Sequence, residues 1–81
     1  MARIPVDHEA TAKALWQKLT PRQRDVVIEL AHGRTNKEIA QILCIEEKTV
    51  ERHLEDVYQR LGLHTRTAVV AQFAQTRFVS R

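Results

Sequence analysis

The stretch TNKEIAQILCIEEKTVERHLEDVYQRL, residues 35–61, decides how this chain folds. It opens on Thr35-Asn36-Lys37-Glu38, a capping-box pattern in which the Thr hydroxyl accepts from a free first-turn amide and the Glu three residues on reaches back to the Thr N–H. Ile39, Ala40 and Leu43 then fall on one face of a short helix that ends near Cys44. A tight turn from Leu43 to Glu46 sends Ile45 back towards the core. Glu47–Leu61 follows as a longer helix, because Val50, Leu54, Val57 and Leu61 draw one apolar stripe at spacings of three and four.

The flanks read as further helices. Thr20-Pro21-Arg22-Gln23 is a helix start: Thr20 caps, Pro21 sits where a missing N–H does no harm, and Gln23 closes a second capping box. The helix it opens turns Val26, Val27, Leu30 and Ala31 inward and stops at Gly33. Gly62 closes the long helix, since glycine takes the left-handed conformation without a Cβ clash. Thr65 caps a last helix with Ala68, Val69, Phe73 and Ala74, expected to run from Arg66 to about Phe78. Upstream, residues 6–18 are expected to form a helix capped by Asp7, with Ala12, Leu15, Trp16 and Leu19 on one face; the competing reading of residues 1–15 is a loose arm. No sustained period-two alternation occurs. The expected fold is all-α, a small four-helix bundle over residues 16–81 with a further helix before it.

Composition narrows the chemistry. The chain has 81 residues, enough for one small domain. Its one cysteine excludes an internal disulfide and suits a reducing compartment, so a cytoplasmic location is expected. The longest apolar run is four residues, against the ~20 that a membrane helix needs. His8, His32, His53 and His64 share no metal-ligand spacing, and neither a nucleophile–base set nor a Gly-rich phosphate loop is present. No enzyme activity, cofactor, metal or membrane association is expected. The net charge of +3 permits a nucleic-acid partner without requiring one.

A short helix, a turn and a longer helix form the helix-turn-helix pattern, in which the first helix braces the second and the second offers its polar face to the DNA major groove. Here that face is Lys48, Glu51, Arg52, Glu55 and Gln59. Several motifs then agree in order and spacing: Leu19-Thr20-Pro21-Arg22, Asn36-Lys37-Glu38-Ile39-Ala40, Lys48-Thr49-Val50-Glu51-Arg52-His53, Arg60-Leu61-Gly62 and Arg66. Over roughly residues 16–78 the chain resembles the LuxR-type (GerE) helix-turn-helix of bacterial transcription regulators.

The resemblance implies sequence-specific duplex DNA binding, with helix 47–61 as the recognition helix and helix 66–78 as the seam of a homodimer on a palindromic site. Carried over residue by residue, it implies that Asn36 and Lys37 hold a phosphate and that Lys48 and Thr49 contact backbone phosphates. It places Glu51, Arg52 and Glu55 at base edges and has Arg66 contact a phosphate or brace the recognition helix. Val69, Val70, Phe73 and Arg77 would make the dimer seam. No sensor fits in 81 residues, so the chain is expected to be a stand-alone regulator or the output domain of a longer one.

The sequence also departs from that pattern. Glu46 stands where Ser often caps the recognition helix. Glu51 and Glu55 stand where Lys or another polar or basic residue is common. A carboxylate there can accept from the N4 amine of cytosine; alternatively it balances Lys48 and Arg52 through (i, i+3) and (i, i+4) pairs. Residues 44–61 carry three basic and five acidic groups, so the positive excess lies in the flanks. Two other functions remain open: a sigma-factor region-four-like fragment that binds RNA polymerase, and a protein-interaction module, or anti-regulator, that pairs without DNA.

Overall fold

The computed structural model describes residues 8–79. Five α-helices follow one another: α1 His8–Trp16, α2 Pro21–Ala31, α3 Asn36–Leu43, α4 Glu47–Leu61 and α5 Arg66–Phe73, then a 3-10 turn at Arg77–Val79. Among the described residues there is no strand, so the all-α expectation holds. The expected cap Asp7 and the start of the 6–18 helix lie outside the described residues.

Helix α2 is the centre of the bundle and packs on α3, α4, α5 and the 3-10 turn. That position explains why Val26, Val27, Ile28 and Leu30 are all buried: the helix is covered on more than one face. Ile39 and Ala40 from α3, Val50, Leu54, Val57 and Leu61 from α4, and Val69 and Phe73 from α5 complete the core. Burial of each large aliphatic or aromatic side chain is worth about 1.5–3 kcal/mol.

Helix α1 belongs to the same core. Ala12 is fully buried, and Trp16 lies between Phe73 and Phe78, edge-on to the first at 5.3 Å and stacked on the second at 5.6 Å. Arg24 donates from Nε to the Trp16 carbonyl at 3.2 Å, and its guanidinium lies 5.7 Å from the centre of the indole ring.

The helix ends follow the local chemistry. Thr20–Gln23 and Thr35–Glu38 both form complete capping boxes, and Thr65 accepts from the Ala68 amide at 3.1 Å. Glu46 caps α4 without any side-chain bond, as expected for that residue. Helices α2, α3 and α4 each end in the same long reversed bond, from a residue just past the helix back to the carbonyl five residues before it. Arg34 N–H reaches the Glu29 carbonyl, Ile45 N–H the Ala40 carbonyl and Leu63 N–H the Tyr58 carbonyl, at 3.2, 3.0 and 3.2 Å. This is the Schellman motif, which needs one residue in the left-handed region. Gly33 and Gly62 supply it at φ 83° and 67°; in the third motif it is Cys44, at φ 57°.

One expectation about length is corrected. Helix α5 stops at Phe73, not near Phe78. The buried Thr76 donates its hydroxyl to the Phe73 carbonyl at 2.8 Å and its amide to the same oxygen at 3.0 Å. This closes the helix and lets the chain fold back, so that Phe78 reaches Trp16 and Val79 is buried.

Candidate nucleic-acid interface

Helix α4 divides into two faces. Val50, Leu54, Val57 and Leu61 point inward, while Lys48, Glu51, Arg52, Glu55 and Gln59 are exposed on the opposite side; Thr49 and His53 are half-buried on the flanks. The helix is braced by α3 across the turn. Ile45 plugs that turn against the core, and Arg22, from the first turn of α2, donates from Nη2 to the Leu43 carbonyl at 2.9 Å. That bond satisfies one of the end carbonyls of α3. Sequence reading missed it, because Arg22 and Leu43 are far apart in the chain and nothing local marks the pair.

The acidic residues on the outer face of α4 stay unpaired. The expected neutralisation of Glu51 and Glu55 by Lys48 and Arg52 does not form: among the described residues the ion pairs are Arg22–Asp25 and Arg34–Glu29. Glu51 and Glu55, one helical turn apart, repel each other mildly. They line a groove of about 340 Å³ together with Asn36, Leu54, Tyr58 and Arg66. The start of α3 therefore lies alongside the exposed face of α4, with carboxylates on one wall and Asn36 and Arg66 on the other.

At the α3 N-terminus, Lys37 is exposed and Asn36 half-buried. The free amides of the first turn and the positive end of the helix dipole suit this corner to an anion. Thr35 N–H donates to Glu38 Oε1 at 2.8 Å, and Glu38 N–H to the Thr35 hydroxyl at 3.2 Å. The bond from the Thr35 amide above all, then the Thr35 hydroxyl and the Arg34 charge nearby, hold the Glu38 carboxyl below its ordinary value. Arg66 shares a groove with α4 but makes its hydrogen bonds to the entrance of α3. It donates from Nη1 to Asn36 Oδ1 and from Nη2 to the Arg34 carbonyl, both at 2.6 Å, and so ties the start of α5 to the entrance of α3.

The residues expected at the dimer seam separate. Val69 and Phe73 are 0% exposed and are used within the core, with Phe73 against the Trp16 ring. In this chain both face inward, not onto the outer surface of α5. Period-three and period-four spacing marks both the inner and the outer stripe of a helix, and Val69 and Phe73 lie on the inner one. Val70 is half-buried and lines a shallow groove of about 210 Å³ with Leu30, Gly33, Arg34, Arg66 and Thr67; Arg77 is exposed on the 3-10 turn.

Among the described residues no group of His, Cys, Asp and Glu is placed to hold a metal ion, and no helix is long and apolar enough to cross a membrane.

An all-helical core with a braced helix-turn-helix corner over residues 35–61 defines this as a helix-turn-helix domain. Residues 17–73 match the family described as "Bacterial regulatory proteins, luxR family", and the chain belongs to that family. It is 42% identical over 59 residues to the nitrate/nitrite response regulator protein NarP of Escherichia coli K12, covering 73% of this chain and 27% of NarP. It is 44% identical over 55 residues to the quorum sensing-dependent transcriptional regulator RpaR of Rhodopseudomonas palustris, covering 68% of this chain and 23% of RpaR. A similar match, 44% over 55 residues, joins it to the transcriptional regulatory protein YhcZ of Bacillus subtilis, over 68% of this chain and 26% of YhcZ. The chain thus spans only about a quarter of the length of these relatives. No solved structure matches it significantly.

Proposed function

We propose that the chain binds duplex DNA in a sequence-dependent way and regulates transcription, with the outer face of α4 laid in the major groove. The observation that carries this reading is the coincidence of the luxR-family match over residues 17–73 with the braced corner over residues 35–61, whose long helix keeps its polar face free. A 15-residue helix is about 22 Å long, and a major groove about 12 Å wide accepts it. Lys37 and Asn36 meet one phosphate at the N-terminus of α3, and Lys48 and Thr49 meet backbone phosphates at the entry of α4. Arg52 reads a base edge, its fork matching the O6 and N7 acceptors of guanine. Glu51 and Glu55 face the same groove.

Two copies pair through the outward side of α5, where half-buried Val70 stands beside exposed Thr67 and Ala71, with Arg77 beyond. A two-fold dimer fits a palindromic site.

The test is a gel-shift series with genomic DNA fragments. Wild type should bind at low salt and lose affinity steeply as salt rises, because phosphate contacts release counterions. The Lys37→Ala, Arg52→Ala double variant should bind far more weakly. Undiminished binding by that variant, or none by wild type, refutes the mechanism.

One observation favours a second reading. Residues 44–61 are net negative, which suits a partner protein with a basic surface better than a polyanion. That reading predicts no salt-dependent DNA affinity at all. The sigma-like alternative has no such support, since the family matched is luxR and the relatives are named as regulators.

A further inference from the structure

We infer that Arg66 serves DNA binding through Asn36 rather than by touching DNA: it is a positioning residue that fixes which way the Asn36 amide faces. The inference rests on the phosphate corner proposed above. A guanidinium only donates, so the Asn36 atom that meets Arg66 Nη1 at 2.6 Å has to be the oxygen. That contact settles the amide's orientation, which an isolated asparagine leaves free. The other branch, Nδ2 with its two hydrogens, makes no hydrogen bond among the described residues. Asn36 is half-buried at the first residue of α3, beside exposed Lys37 and the free amides of the first turn, which leaves Nδ2 as the branch that can turn to a ligand.

The second Arg66 bond points to the same role. Nη2 donates to the Arg34 carbonyl, which fixes the Gly33–Thr35 entry to the capping box. One side chain from α5 thus holds both the loop that starts α3 and the amide at its first position. Nη1 and Nη2 each give one of their hydrogens to a neutral protein oxygen, so the guanidinium is held against Asn36 and the Arg34 carbonyl. Asn36 and Arg66 also share a groove with Glu51 and Glu55. A displaced Asn36 amide would turn towards those carboxylates, which accept hydrogen bonds, and would be lost to DNA.

The experiment measures affinity for a fluorescently labelled random-sequence duplex over a salt series, using the full chain. The variants are Arg66→Met, Asn36→Ala, Asn36→Asp, Lys37→Ala and the Arg66→Met, Asn36→Ala pair, each shown by circular dichroism to be folded at the assay temperature. Arg66→Met should weaken binding by about threefold to tenfold, the worth of one hydrogen bond, and leave the slope of log K against log salt unchanged. Lys37→Ala, which removes a direct phosphate contact, should lower that slope by about 0.9. The paired variant should bind no more weakly than Asn36→Ala alone. Asn36→Asp keeps the acceptor for Arg66, and so stays folded, but loses the donor and adds a negative charge, and should bind at least as poorly as Asn36→Ala.

A fall of about 0.9 in the slope for Arg66→Met, or losses that multiply in the paired variant, overturns the inference and leaves the DNA reading standing. Retained binding by Asn36→Asp overturns it as well. Absence of DNA binding by wild type removes the DNA reading and this inference together.

Discussion

Replacing Cys44 by glycine should stabilise the protein, although it deletes a side chain from the centre of the helix-turn-helix. Cys44 ends α3 at φ 57° and ψ 46°, the left-handed region, where Gly33 and Gly62 serve the equivalent ends of α2 and α4. A residue with a Cβ pays about 1–2 kcal/mol to stay there. Glycine removes that strain but gives the unfolded chain more freedom, which costs about 0.4–1 kcal/mol. The thiol contributes little in return: it is exposed, and its one hydrogen bond, Sγ to the Gln41 carbonyl, is 3.9 Å long. The net gain is about 0.8 kcal/mol. For a domain of this size it corresponds to a rise of about 3–6 °C in Tm. Thermal and urea unfolding followed by far-UV circular dichroism measure it. Cys44→Ala is the control, since it removes the same sulfur and keeps the same backbone penalty, and its Tm should hardly move. A Tm for Cys44→Gly at or below wild type, or an equal rise for Cys44→Ala, would show that the left-handed cap is not strained.

Two further outcomes follow from the packing and the charges. The Glu38 carboxyl is held below its ordinary value of 4.5 by the Thr35 amide and hydroxyl and by Arg34. Its contribution to stability is therefore complete at neutral pH and is lost as pH falls through the carboxylate range to the lowered value. Wild type should lose stability relative to Glu38→Gln over that interval, and parallel acid-unfolding curves for the two proteins would contradict it. Gln72→Met should raise stability by about 1 kcal/mol, because Gln72 Nε2 is buried without a partner and methionine fills the same volume without a polar atom. Chemical denaturation reads the change, and a loss would mean that the amide has a use.

The parts of this fold that were legible in the sequence were those carried by short-range chemistry. Both capping boxes, the glycine stops and the stripe Val50, Leu54, Val57, Leu61 involve residues within one or two turns of each other, and each was placed correctly. Three features escaped, and each depends on partners distant in the chain or on a backbone state that its residue type does not announce. Cys44 in the left-handed region is one. The end of α5 is another, since it is decided by Thr76 bonding back to Phe73 and by the stacking of Phe78 on Trp16, a partner some sixty residues away. The roles of Val69 and Phe73 form the third: helical periodicity tells that a stripe is apolar, not whether one chain or two will cover it. At the candidate interface, the exposed face of α4 was read directly from its polar spacing. The cross-helix bonds of Arg22 and Arg66 became visible only in three dimensions.

The acidic residues of α4 fall into two groups. Glu46 and Glu47 lie at the start of α4, where negative charge meets the positive end of the helix dipole and compensates for the missing side-chain cap. Arg60 donates to the Lys18 carbonyl at 3.0 Å and is engaged with the protein. Of the outward charges that would face DNA, Glu51 and Glu55 thus oppose Lys48 and Arg52 without pairing with them. A carboxylate near a phosphate costs up to about 1 kcal/mol in water at 4 Å, or about fivefold in affinity. Each substitution, Glu51→Gln and Glu55→Gln, should therefore tighten binding to random duplex by up to about fivefold, an effect that shrinks as salt rises. Selection of bound sequences separates the two residues. If Glu51 accepts from a cytosine N4 amine, Glu51→Gln shifts the preference at one position away from cytosine and towards adenine, whose N6 and N7 suit glutamine. Glu55→Gln should change affinity without changing the selected sequence. Unaltered random-duplex affinity for both variants would mean that this face of α4 does not approach DNA, and the binding energy would then have to come from another surface of the domain.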